Sequence, residues 1–362
     1  MNSTLRKVAL IALRFGVGIG MLVWLKRSGA MSLHSLSAAF RTWPLTLAAI
    51  AILLFDLFLM AVRVSLLFRV QRLTLTLGNA LRLTLLGFLF SMVLPGTAGG
   101  EIAKFYYAGR DNHGRRAEIA AALLFDRLIG LLSMLLLPLM LAPFFSQVIR
   151  SIVPVQRILW MDALLVAGLL SVMAVVLFSE PLCDLASAGL KSWPSVQSLW
   201  NRVVQALLGY KASGGTVISA LALSLLANFA FIVVTALGFY STNPHGFSLK
   251  TIFLAPIGYL INALPLTPGG LGIGEAAFNA LFSLIGISGG ADALLCVRCW
   301  NVIVGLFGVA IYLYGLGPVV HVESLPIGEA AGGLFPSRQF ARSNLMGIKV
   351  RLGSGKPAGT QR

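Results

Sequence analysis

Two heptapeptides of one pattern stand 170 residues apart in this 362-residue chain. They are Leu94 Pro95 Gly96 Thr97 Ala98 Gly99 Gly100 and Leu264 Pro265 Leu266 Thr267 Pro268 Gly269 Gly270, identical at five positions. A Thr followed by paired glycines suits an anion site at the start of a helix. Thr97 and Thr267 can cap the first turn, and Pro268 fits the first helical position, where a missing NH costs nothing. Gly99, Gly100, Gly269 and Gly270 leave backbone NH groups uncovered at the positive end of the helix dipole. The plainer alternative is that Gly and Pro here serve only a tight turn and close helix packing. An arginine follows each copy at nearly equal distance, Arg127 lying 27 residues beyond Gly100 and Arg298 lying 28 beyond Gly270. Glu101 and Glu275 follow their glycine pairs by one and five residues. Each is open to two readings: a proton carrier in a coupled cycle, or a carboxylate balancing a helix dipole.

The elements that must position these residues are set by composition. The chain is 57% apolar and 11% charged, with a mean hydropathy of +0.88, where soluble domains carry about 25% charged residues. A secreted protein, a cytosolic enzyme and a disordered chain are excluded. Six apolar runs are long enough to cross a bilayer at about 1.5 Å per residue: about 8–25, 43–67, 118–145, 158–179, 214–241 and 293–320. Three shorter ones, 83–94, 253–266 and 273–287, are broken by Gly and Pro and read as re-entrant. The first run follows Arg6 and Lys7 as a signal peptide would, but it holds Arg14 and ends in Trp24 Leu25 Lys26 Arg27 without a small-residue cleavage site, so it reads as a retained span.

The expected fold is therefore all-α: a polytopic membrane helix bundle of about six full spans plus two broken or re-entrant hairpins. The halves, about 5–150 and 155–320, share the plan span, span, broken hairpin, span. Three crossings per half is an odd number, which inverts the second half relative to the first. Inverted repeats whose broken helices meet near the midplane suit alternating exposure of two related half-sites.

The net charge of +16 resides mostly in connectors, where it sets orientation and touches anionic lipid; no nucleic-acid partner is implied. With a cytoplasmic N-terminus, 18 of the 28 Lys and Arg fall on inside segments and 6 on outside ones. Both termini are thus expected in the cytoplasm, the first hairpin entering from that side and the second from the other. Residues 321–362, rich in Gly, Ser, Pro and Arg, read as a basic, disordered cytoplasmic tail. Charged residues inside spans are costly and face an interior or a wet cavity. Asp56 and Arg63, seven apart, share one helix face. Asp126 and Arg127 are adjacent and point apart, so at least one needs a partner from another helix. Arg298 and Asn301 form a polar stripe. For each arginine, ion pairing or snorkelling competes with phosphate contact.

Cys296 and Cys299 form a CxxC within an apolar helix and read, like Cys183, as core; no metal site or cofactor is implied. His34, His113, His245 and His321 lack ligand spacing. No hydrolase triad, P-loop or dinucleotide fingerprint occurs, so no catalytic residue is assigned.

The blocks LLGFLFSMVLPGTAGGEIAKFYYAGR and AALLFDRLIGLL, then INALPLTPGGLGIGEAAF and the Arg298 span, resemble the two signature blocks of the lysylphosphatidylglycerol synthase transmembrane-region family. The resemblance covers roughly residues 5 to 320. It implies a bacterial inner-membrane, flippase-like domain, as in proteins that flip aminoacylated phosphatidylglycerol, with relatives linked to hopanoid or glycolipid pathways. It carries over Pro95, Gly99, Gly100, Glu101, Asp126, Arg127, Pro265, Pro268, Gly269, Gly270, Gly274, Glu275 and Arg298. Bifunctional members continue into a soluble aminoacyltransferase domain; this chain stops about 40 residues after its last span and is not expected to make lysyl lipid itself. Two functions from different classes remain. One is a flippase for an anionic phospholipid or lipid-linked substrate. The other is a non-transporting scaffold for a lipid-biosynthesis enzyme partner.

Overall fold

A computed structural model describes residues 42–93, 98–109, 113–178, 194–264, 270–313 and 321–322, with Arg27, Ser37, Ser187 and Thr267 singly. All belong to one compact unit, Met1–Val322; Glu323–Arg362 form a second unit with no described residue. The expected first span and most of the tail thus lie outside the described residues, as do Pro95, Thr97, Pro265, Pro268 and Gly269.

The described chain is helical apart from one two-residue pairing. Five helices are long and apolar enough to cross a membrane. The first, α1 (Trp43–Val70), starts with a proline in its first turn and stops before Arg72, whose φ of 54° cannot continue a right-handed helix. A two-residue strand, β1 (Leu73–Thr74), leads to a hairpin of α2 (Leu77–Val93) and α3 (Ala98–Gly109). The second crossing, α4 (Arg116–Leu141), carries Pro138 in its last turn and ends at the 3-10 turn Ala142–Phe145. After the short α5 (Ser146–Ser151), α6 (Val153–Phe178) crosses, and the amphipathic α7 (Pro194–Leu208) precedes the crossing α8 (Gly214–Thr242). A second hairpin, α9 (Lys250–Asn262) and α10 (Ile273–Ser283), leads to α11 (Gly290–Leu313). The strand β2 (His321–Val322) pairs antiparallel with β1, Leu73 opposite Val322. Those two residues were expected in the tail; backbone pairing ties them instead beside the end of α1.

Helix packing repeats between the halves. Hairpin α2/α3 and hairpin α9/α10 each fold on themselves; α4 packs against α9 of the other half, and α11 packs reciprocally against α2. The repeat-equivalent helices α1 and α8 lie side by side along their length. They run antiparallel: Arg63 late in α1 bonds Ser224 early in α8, while Ala49 and Leu53 early in α1 share a core cluster with Val234 late in α8. Equivalent helices packed head to tail are what an inverted repeat requires.

Apolar clusters lie within and between the halves: Leu53 and Leu57 pack with Val297 and Trp300 across them, and two more are centred on the hairpins. Ala61, Val64, Phe68, Leu83 and Ile119 form one, and Phe239, Phe253, Phe278, Phe282 and Leu294 the other. Glycine sets the closest approaches. At Gly100 a Cβ would collide with the Gly87 carbonyl of the facing helix, so α2 and α3 meet backbone to backbone. Between α9 and α10, Gly270 (φ 69°) and Gly272 (φ 80°) hold left-handed backbone.

One end of the bundle is bolted by polar contacts. The Tyr210 hydroxyl donates to the Leu67 carbonyl (3.0 Å), the Gln71 amide to Ala206 (2.7 Å) and the Arg115 guanidinium to the Gln71 carbonyl (2.9 Å). The Tyr210 ring stacks on Phe125, centroids 4.1 Å apart.

Candidate functional site

The second hairpin holds the more enclosed of two matching ion pairs. Because Gly270 and Gly272 keep the backbone non-helical, α10 begins only at Ile273. Thr267 is therefore not the helix cap expected from the sequence: its hydroxyl donates to the Leu271 carbonyl (2.9 Å) inside the turn. Glu275 does the capping, its Oε2 accepting from the Gly272 NH (2.7 Å). Its other oxygen accepts from Arg298 Nε of α11, and Glu275 is wholly buried. Arg298 Nη2 donates further to Asn262 Oδ1 (2.7 Å) and to the Gly270 carbonyl (3.0 Å). Gly274 is pressed into this cluster, where a Cβ would meet Asn262 and Arg298. The guanidinium thus spans the end of α9, the turn and the start of α10.

The first hairpin builds the same pair in a looser setting. Glu101, in the first turn of α3, meets Arg127 Nε of α4 at 2.9 Å and accepts from Lys104 Nζ at 3.1 Å through the same oxygen. Its second oxygen is buried and has no hydrogen-bond partner among the described residues. The Arg127 side chain is 45% exposed, against 19% for Arg298. Gly99 and Gly100 are buried in the helix start, Gly100 against α2.

A cavity of about 440 Å³ opens beside this first pair, lined by Arg63, Glu101, Lys104, Asp126 and Arg127 among apolar neighbours. Arg63 does not pair with Asp56. It reaches across to α4, its Nε donating to Asp126 Oδ1 (2.6 Å) and its Nη1 to Ser224 of α8 (2.8 Å). Next to them Asn228 of α8 donates to Ser133 (2.6 Å), carrying the polar layer on between α4 and α8. Three cations against two carboxylates leave the lining net positive, and the volume falls within the range of ligand pockets. Such a chamber favours an anionic group at low dielectric.

One helix, α9, touches both the cavity and the second ion pair. Tyr259, Leu260 and Ala263 line the cavity, while Asn262 on the same helix binds Arg298. Tyr259 is held between Phe231 and Phe278, at 4.7 and 5.0 Å, and its hydroxyl shares a 2.6 Å hydrogen bond with Thr235.

With this geometry in view, comparison with known families is decisive. The family model described as lysylphosphatidylglycerol synthase TM region matches residues 11–311. The chain belongs to this family. No curated protein and no solved structure matches it. In this member of the lysylphosphatidylglycerol synthase transmembrane-region family, the matched span contains both hairpins, both Arg–Glu pairs and the five described crossings.

Of the sequence-derived residues, the structure brings Glu101 to Arg127, and Gly270, Gly274 and Glu275 to Arg298. Arg63 and Asp126 form a third pair between helices. Asp56 is buried on α1, and neither its Oδ1 nor the buried Asn301 Oδ1 has a hydrogen-bond partner among the described residues. Asn262, Lys104, Asn228 and Tyr259 escaped the sequence reading. Lys104 carried a signal, three residues after Glu101 and so on its helix face. Asn262 and Asn228 stand out in the sequence only as lone amides in apolar runs.

Proposed function

We propose that this protein moves the phosphate-bearing headgroup of a phospholipid or lipid-linked substrate across the bacterial inner membrane by alternating access. The observation that carries the reading is one Arg–Glu pair built twice on antiparallel repeats, beside an open cavity in the first copy and closed around Arg298 in the second. A headgroup phosphate entering the first half-site competes with Glu101 for Arg127 and Lys104, both good phosphate donors. The second half-site offers Arg298 in the place of Arg127 once the turn around Gly270 releases it. Both termini lie in the cytoplasm in this scheme. The chain works without cofactor and without covalent chemistry on the lipid.

The test is lipid translocation in liposomes reconstituted with the full chain, read by dithionite protection of a fluorescent phospholipid. Arg127→Gln removes a charge-assisted contact of about 1.5–3 kcal/mol, and transport is expected to fall by about tenfold or more. Arg298→Gln is expected to fall comparably while both variants remain inserted. Unchanged transport in both variants would sink the half-site scheme, and an inactive wild type that still supports a lipid-modifying enzyme would favour a scaffold.

A further inference from the structure

Nine buried side-chain oxygen and nitrogen atoms among the described residues lack a hydrogen-bond partner. Buried polar groups are as a rule satisfied, by protein or by bound water, so the places where these fall carry information. Two belong to Asp162 on α6; the other seven follow α1. The antiparallel register set by Arg63 and Ser224 brings Ser241 of α8 level with Thr46 at the start of α1, and Gly238 level with Ala49. A Cβ on Gly238 would meet the Trp300 ring of α11 at 3.6 Å, so Trp300 and its neighbour Asn301 come next. Asp56 lies about 15 Å along α1 from Thr46. Beyond it Thr84 of α2 lines the cavity with Leu57 and Met60, and so does Glu101, which holds the seventh atom.

The helices that carry these groups meet in one seam: Leu53 and Leu57 of α1, Leu85 of α2, Val234 of α8 and Trp300 of α11 share a core cluster. The chemistry of the unpaired atoms selects a ligand. Trp300 Nε1 only donates, the Asp56 and Asn301 oxygens accept, and the hydroxyls of Thr46, Thr84 and Ser241 do both. A metal cation has no use for an indole NH, and an anion is repelled by a carboxyl oxygen, whereas water donates and accepts and satisfies every member of the set. Charges on the surrounding helices are already engaged, Arg63 with Asp126, Arg127 with Glu101 and Arg298 with Glu275. Within the stretches that border the seam, the other ionisable groups are the thiols Cys296 and Cys299 and the exposed Tyr240.

We propose that this seam is a binding site for a file of water molecules, and that the file carries protons between the Thr46 end of α1 and Glu101 at the cavity. Asp56, between the two, gives and takes the proton. Hydrogen-bonded waters pass it on by exchanging O–H bonds, so no oxidant, reductant or other reactant is consumed. A proton arriving at Glu101 occupies its unbonded oxygen, which weakens the hold on Arg127 and Lys104 as a phosphate takes them over. That last step rests on the transport reading above; the water file does not.

Two measurements on the full chain test it. In lipid nanodiscs, hydroxyl radicals generated by a brief X-ray pulse label side chains that touch bound water. Trp300 should be labelled although it is wholly buried, while Phe278, as deeply buried but within the apolar cluster of the second hairpin, should not. In liposomes holding a trapped pH dye, with valinomycin and potassium clamping the voltage, an external acid pulse should acidify the interior faster than in protein-free liposomes. Asp56→Leu should lose both the Trp300 label and the faster acidification. Thr84→Val, which keeps the size of the side chain, should slow acidification. Trp300 labelled no faster than Phe278, or acidification unchanged by both substitutions, would overturn the proposal. Acidification that depends on Asp56 in a protein that moves no fluorescent lipid would support the file and count against the transport reading alone.

Discussion

At the residue scale, three ion pairs join separate helices, Arg63–Asp126, Arg127–Glu101 and Arg298–Glu275, and their environments set how much each matters. Arg63 and Asp126 are almost wholly enclosed, with side chains 8% and 2% exposed. Removing one partner strands the other, at a cost of about 3–5 kcal/mol. Arg63→Met or Asp126→Leu alone should therefore lower the thermal midpoint in detergent well below that of the double variant, in which no charge is left uncompensated. The two hairpin pairs should differ in the same way. Glu275→Gln leaves a largely enclosed guanidinium and weakens a helix cap, so it should destabilise more than Glu101→Gln, whose partner Arg127 is more exposed. An equal shift in midpoint for the two would show that enclosure does not govern these pairs.

At the element scale, the repeat is kept by where helices begin and not by where the shared heptapeptides end. Counted from Gly100 and Gly270 the two glutamates are out of register by four residues. Counted from the helix starts Ala98 and Ile273, Glu101 is fourth and Glu275 third. Left-handed backbone at Gly270 and Gly272 delays the second helix and narrows the offset to one residue. The first hairpin depends instead on close contact, so Gly100→Ala should drive α2 from α3 and cost about 1–3 kcal/mol. Gly78→Ala, which meets nothing within 4 Å, should leave the midpoint unchanged or slightly raised by helix propensity. Thermal unfolding followed by tryptophan fluorescence distinguishes the two.

At the scale of the whole molecule, α1 and α8 are equivalent in the repeat and antiparallel in space, and that arrangement makes a directional prediction about the membrane. A single cysteine at Lys26 or Thr242, in a background without Cys183, Cys296 and Cys299, should react with a membrane-impermeant maleimide added outside whole cells. One at Ser343 should react only after the membrane is opened. A labelled Ser343 in intact cells would break the scheme of an odd number of crossings per half. Residue type and linear spacing alone determined the all-α membrane class, the lengths of the crossings, the doubled motif and the two arginines that follow it, because apolar run length and short-range periodicity are local properties. Spacing was also enough to show that adjacent Asp126 and Arg127 need partners from other helices. Only the tertiary structure decided which partners those are, Arg63 for one and Glu101 for the other, since ion pairs between helices depend on packing that no local pattern encodes. It also decided that Thr267 sits inside a turn, and that α9 touches both the cavity beside Arg127 and the enclosed pair at Arg298.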